Sequence, residues 1–223
     1  MHTNQSNHGY GLTASKGAAA NREGFGKASR QGRRFPRHRK DDGQRGKLRA
    51  HRNAEVNSEI NNASRSYAPI TIEDLKRLRD IEAKSRREFF ERQPKCVALA
   101  NRVICVALCQ GAALHHLNGK NGIKDFDVWT FYSALPGIEF PCRWRAQQDY
   151  GDPKFGKSPD RLDFIGRRVD LMGRSLAVDI ESAPEFVLRR YLSEKHTTSS
   201  RFLSEKAAIM LEPINLLGTC IWP

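Results

Sequence analysis

Three aspartates carry the chemistry this chain can be read to perform. Asp125 and Asp127, in Asp125-Phe126-Asp127-Val128, stand one residue apart in a run of strand-forming residues. A regular pleat turns both carboxylates to one face. Asp170 stands within Arg168-Val169-Asp170-Leu171-Met172, a lone acid in an apolar strand where an unpaired charge is costly. Upstream, Gln110-Gly111-Ala112-Ala113-Leu114 sets small residues at a turn into a helix, where backbone amides can approach a phosphate. Nucleotide transfer to a hydroxyl needs carboxylates that hold divalent cations, with amides and basic side chains that steady a triphosphate. Lys120, Lys124, Arg168 and Lys206 are the candidates for neutralising phosphate charge.

These residues must be positioned by strands and helices. Thr71, followed by Glu73 and Asp74, is an N-cap with acids in the first turn. Ile72, Leu75, Leu78 and Ile81 form an apolar stripe, and Pro94 stops the helix, which is predicted over 72–92. Arg102 to Cys109 is rich in Val, Ile and Leu and reads as a buried strand. Ala112 to Leu117 reads as a short helix, and Asn118 to Gly122 as a turn. Asp125 to Tyr132 is the next strand, with Val128, Thr130 and Tyr132 facing away from Asp125, Asp127 and Trp129. Residues 145–165, with their prolines, glycines and charges, read as a long loop. Arg167 to Met172 is a third strand. Ser182-Ala183-Pro184-Glu185 resembles a capping box with Pro184 at the first helical position. A helix to about Ser193 follows, then another from about Ser200 to Leu211. Asn215 to Pro223 reads as a short strand or an extended packing segment.

The turn, the spacing and the acids resemble the nucleotidyltransferase superfamily related to DNA polymerase beta. That family has a Gly-Gly/Ser turn, a short spacer, then two acids separated by one apolar residue, with a third acid on a later strand. Here 12 residues separate Gly111-Ala112 from Asp125. The stretch Gly111 to Trp129 looks most like the bacterial toxin and abortive-infection enzymes of that superfamily. Ala112 stands where Gly or Ser is usual, so a hydroxyl contact to phosphate is missing. Gln110 stands where an apolar residue is usual. Neither change removes the backbone amides.

The resemblance implies an α/β (α+β) fold with a small mixed sheet flanked by helices. It implies that Asp125 and Asp127 bind Mg2+ or Mn2+, and that Asp170 is a third ligand or the base that takes the acceptor proton. Gly111 and Ala112 would line the phosphates of an NTP such as ATP. It also carries a toxin or phage-defence role and a neutralising antitoxin partner as expectations.

Charge is uneven along the chain. Residues 1–70 hold 14 Lys/Arg against 5 Asp/Glu, a large part of the net +13. Residues 1–66 are rich in Gly, Ser, Asn, Gln, Arg and Lys and read as a disordered tail, with too little apolar area to offset chain entropy. The domain proper spans 67–223. Within the tail, Arg33, Arg34, Arg37, Arg39 and Lys40 surround Phe35, a composition suited to the phosphates and bases of single-stranded RNA. A solvated extension without a dedicated partner has the same composition. The tail therefore favours RNA or tRNA as acceptor over a protein or a small molecule, and it equally supports a nucleic-acid-binding module that has kept the fold without the chemistry.

Five cysteines without a C-x-x-C pair, no apolar leader and no apolar run near the roughly 20 residues of a membrane span fit a cytoplasmic protein with reduced thiols and no membrane association. Cys105 and Cys109 read as core. His115 and His116 point about 100° apart on a helix and cannot easily share a metal. Trp144, between Arg143 and Arg145, reads either as a base-stacking or as a loop-anchoring residue.

Overall fold

The computed structural model describes residues 65–223 other than Glu139 and Cys142 to Trp144. The 1–64 portion of the predicted disordered tail, with its arginine run Arg33, Arg34, Arg37, Arg39 and Lys40, lies outside the described residues, as do Arg143 and Trp144.

The first helix among the described residues, α1, runs Ile72–Arg92, as its punctuation predicts. Thr71 Oγ1 accepts from the Asp74 amide, and Asp74 Oδ2 accepts from the Thr71 amide at 2.7 Å, so both ends of a capping box are made. Pro94 opens a 3-10 turn, Pro94–Leu99, directly after the helix. The apolar stripe is shifted from its expected start. Ile72 is exposed, while Leu75 and Leu78 are fully buried and the buried face continues through Glu82, Ser85, Phe89 and Phe90.

Six strands follow: β1 Val103–Cys109, β2 Phe126–Ser133, β3 Arg145–Asp149, β4 Arg168–Leu176, β5 Ala207–Glu212 and β6 Cys220–Trp222. They form one mixed sheet in the order β3-β4-β2-β1-β5-β6. β2 and β4 pair in parallel, and the other neighbours pair antiparallel. Three further helices flank it: α2 Gln110–Asn118, α3 Pro184–Glu194 and α4 Thr198–Leu203. Alternation along the strands builds two cores. Val106, Leu108, Phe126, Val128, Val169, Leu171, Ile209 and Leu211 pack with Leu75 and Leu78 of α1 and with Ala112 and Ala113 of α2. On the opposite face, Cys105, Ala107, Cys109, Trp129, Phe131, Ala208 and Met210 pack with Val187, Leu188 and Leu192 of α3 and Leu203 of α4. Each such buried Leu or Ile contributes roughly 1.5–3 kcal/mol. Trp129 and Val128 thus fall on opposite faces, as the expected pleat requires.

Three expectations are corrected. Residues 145–165 are not a continuous loop, because Arg145–Asp149 pairs with β4 as the edge strand β3. Its polar composition suits an edge and hides it from a hydrophobicity pattern. The helix expected to reach Leu211 ends at Leu203, and Ala207–Glu212 is a strand buried between β1 and β6. Ala, Met, Leu and Glu favour helices in isolation, but burial in the sheet overrides that preference. Pro184 does open α3, yet its N-cap is Ala183, with no side-chain cap from Ser182.

A third cluster, largely aromatic, packs against the central strands β1, β2 and β4. Phe140 stacks on Tyr132 with ring centroids 4.6 Å apart and packs near Phe89 and Phe90. Gly173 on β4 makes room for it, since a Cβ there would lie 2.2 Å from the Phe140 ring. Among the described residues no helix is long and apolar enough to cross a membrane.

Candidate active site

One row of residues crosses the sheet. Cys109 pairs in register with Asp127, Asp127 with Asp170, and Asp170 with Gln147. Asp125 sits one residue before β2, two before Asp127. β2 and β4 run parallel, so both bring their N-terminal ends to the end of the sheet where β1 terminates. The strand pairing therefore gathers the three aspartates beside the β1–α2 junction.

Asp170 is buried, 2% exposed, whereas Asp125 and Asp127 are half-buried. Like charges in register on neighbouring strands repel. Arg168, two residues before Asp170 on β4, answers part of that repulsion. Its Nη2 donates to Asp125 Oδ2 at 2.7 Å and lies 3.2 Å from Asp170 Oδ2, and its Nη1 reaches Asp160. Burial pulls the Arg168 guanidinium down, but Asp170, Asp125 and Asp160 outweigh it and hold its pKa above the ordinary arginine value. Gln147 Nε2 donates to Asp170 Oδ1 at 3.0 Å, and Arg161 Nη1 donates to Gln147 Oε1 at 2.9 Å. Asp170 is therefore not the unpaired acid that its apolar neighbours suggest. The adjacent Arg167 is buried. Its Nε donates to the Phe155 carbonyl at 2.6 Å, and burial lowers its pKa despite the attraction of Asp125.

The β1–α2 junction is a tight bend. Gln110 takes a positive φ of 63°, unusual for a residue with a Cβ. Its Nε2 donates to the Phe202 carbonyl at 2.7 Å, and its backbone bridges Ala207, which together hold the bend against that strain. Gly111 follows on the first turn of α2. Lys206 Nζ lies 4.0 Å from where a Gly111 Cβ would stand, so that ammonium hangs over the turn. Ala112 is buried beneath it.

The other predicted cations divide. Lys124 is exposed and directly precedes Asp125. Lys120 is exposed beyond Gly119, the C-cap of α2. That is the far end of the helix from Gly111, about 13 Å along its axis.

The histidines are structural. His115 is buried, accepts from the Gly122 amide at Nδ1 and meets the Ala68 carbonyl through Nε2. His116 Nδ1 meets the Ile70 carbonyl. Cys105 and Cys109 are fully buried free thiols. Burial pushes the Cys109 thiol well up, and Asp127 adds to it.

A divalent cation implied by the carboxylates finds a suitable donor chemistry in Asp125, Asp127 and Asp170, which offer hard oxygens on adjacent segments. Among the described residues, however, no group of three or more His, Cys, Asp or Glu side chains is arranged to hold a metal ion. The guanidinium of Arg168 bridges two of the three carboxylates instead. A cation seated between Asp125 and Asp170 has to displace it.

Gln147, Asp160 and Arg161 are site residues that the sequence reading did not find. Gln147 was hidden in the unrecognised strand β3, and Asp160 and Arg161 stand in a segment with no motif.

No protein-family model, no curated protein and no solved structure matches this chain. The class defined by its coordinates is an α/β protein with a six-stranded mixed sheet.

Proposed function

We propose that this chain is a nucleotidyltransferase-like enzyme that moves a nucleoside monophosphate from an NTP to an acceptor hydroxyl. The observation that supports this best is the register of Asp127 with Asp170, in the row that also contains Cys109, one residue before the Gln110-Gly111 bend. Carboxylates and a phosphate-accessible turn then share one end of the sheet. Asp125, Asp127 and Asp170 would hold Mg2+ or Mn2+, which when bound neutralises phosphate charge and activates the attacking oxygen.

The chain's own groups have defined tasks in this reading. The amides of Gly111 and Ala112 receive phosphate oxygens at the start of α2, and Lys206 supplies a positive charge over the same turn. The acceptor oxygen forms a bond to the α-phosphorus as the bond to pyrophosphate breaks. The acceptor proton passes to a carboxylate, for which Asp170 is the candidate if it is not a third ligand. Arg168, once released from Asp125 and Asp170, would supply a further positive charge for the leaving phosphates. RNA or tRNA is the favoured acceptor because of the basic N-terminal segment, with a protein or a small molecule as the alternatives. A toxin or phage-defence role with a neutralising partner is the biological setting that the resemblance suggests.

A second reading is favoured by Arg168 itself. A guanidinium that already bridges Asp125 and Asp170 is what a fold without metal chemistry would keep, and the chain would then serve as a nucleic-acid-binding module. The test is to incubate the protein with each α-labelled NTP, Mg2+ or Mn2+, and total tRNA or protein extract. Label transfer that Asp127→Ala abolishes supports the enzyme. Absence of transfer to every acceptor by folded protein supports the binding module.

A further inference from the structure

The face of β4 that carries Asp170 continues, by alternation, to Arg174. Four residues of strand separate the two by about 13 Å. There the end of β4 and its following turn, α3 and the α3–α4 turn enclose a pocket of about 350 Å³, a size within the range of small-molecule sites. Arg174, Val178, Val187, Tyr191, Thr197 and Ser200 are among its walls.

Arg174 is short of acceptors. Its Nε is buried without a hydrogen-bond partner among the described residues. Its Nη1 reaches Ser199 Oγ at a long 3.4 Å, and no carboxylate pairs with it among the described residues. A guanidinium has five N–H donors and stays charged, and donors left unmet away from water are costly. Its central carbon lies 5.7 Å from the centroid of the Tyr191 ring. Tyr191 keeps its hydroxyl occupied, 3.1 Å from Thr197 Oγ1. At the mouth, Arg190 and His196 both face the single acid Glu194, at 2.7 and 3.5 Å, so the pocket keeps a positive balance.

We propose that this pocket binds a small ligand with an oxyanion head, phosphate or carboxylate, on Arg174 and a flat apolar body along Tyr191 and Val187. The fork of the guanidinium matches either oxyanion, and the aromatic and valine walls supply apolar contact. The site is separate from the aspartate row and does not depend on nucleotide transfer.

Phenyl phosphate and benzoate are the probes, titrated into the full chain while the Arg174 Nε–H and Tyr191 ring resonances are followed by NMR. The expected result is a saturable shift of both resonances with at least one probe, and the preferred probe tells phosphate from carboxylate. Arg174→Met should weaken binding roughly ten- to hundredfold, the loss of a charge-assisted pair. That variant also removes the contact with Tyr191, so Ala177→Trp serves as a second. Ala177 is exposed and lines the pocket, and an indole there obstructs entry without entering the core. It should lower affinity while leaving the unfolding midpoint unchanged. Lys206→Ala should leave affinity at Arg174 unchanged, which separates this pocket from any phosphate bound at Gly111. The proposal is overturned by shifts confined to Gly111 and Lys206, by equal affinity in wild type and both pocket variants, or by no shift with either probe.

Discussion

Asp127 of β2 and Asp170 of β4 are register partners on adjacent parallel strands, a placement that sets two carboxylates side by side at one end of the sheet. The fold tolerates it with help from Arg168, which joins Asp170 to Asp125 through one guanidinium nitrogen. Chemistry and stability therefore compete for the same atoms.

Arg168→Met should destabilise the protein by about 3 kcal/mol, because it removes one guanidinium from two carboxylates, the half-buried Asp125 and the buried Asp170. Denaturant unfolding at neutral pH measures the loss. Mn2+ should raise the unfolding midpoint more in this variant than in wild type, since the competing guanidinium is gone. An equal response to Mn2+ would show that the guanidinium does not hold the cation position.

Gly173→Ala places a methyl 2.2 Å from the Phe140 ring. The ring is wedged among Tyr132, Phe89 and Phe90 and has little room to retreat. A loss of about 1–3 kcal/mol is expected. In a double-mutant cycle with Phe140→Ala, the two losses should be clearly less than additive.

Two acids of α1 should give opposite pH responses. Burial of Asp74 opposes its charge, but Lys154, the Thr71 amide and hydroxyl, and the Tyr150 hydroxyl outweigh it and hold the carboxyl below its usual value. The stability it contributes is present above the ordinary carboxylate range and is lost as pH falls through the lowered value. Asp74→Asn should remove that acid-side loss, and should cost about 1 kcal/mol at neutral pH by weakening the cap.

Glu82 is the reverse case. Burial raises its pKa, against the pull of Arg86 and the Thr130 hydroxyl, which donates to Oε1 at 2.6 Å. Its contribution is full below the ordinary carboxylate value and is lost as pH rises through the raised one. Glu82→Gln should flatten the stability profile over that interval. An unchanged slope would mean that Glu82 does not titrate there.

Much of the fold was legible because its signals are local. Thr71, Asp74 and Pro94 bracket α1 by capping and by a missing amide, and the Val/Ile run of β1 needs no partner to be read. β3 and β5 were not legible for the same reason. Arg-Ala-Gln-Gln-Asp has no apolar face, and Ala-Ala-Ile-Met-Leu-Glu becomes a strand through its neighbours on either side. The three aspartates stood out by type and spacing. Alternation on β4 already puts Arg168 on the face of Asp170, yet its reading as a phosphate ligand passed over the carboxylates it meets first. Gln147 depends on a strand pairing that no local pattern announces.

The central claim is most directly tested by transfer of label from α-labelled NTP to an acceptor in the presence of Mg2+ or Mn2+, with wild type and Asp127→Ala compared at equal folded concentration. Transfer by wild type, reduced to background in Asp127→Ala with pyrophosphate release falling in step, is the expected result. Transfer that survives Asp127→Ala, or wild-type protein that binds RNA but labels no acceptor, would contradict it.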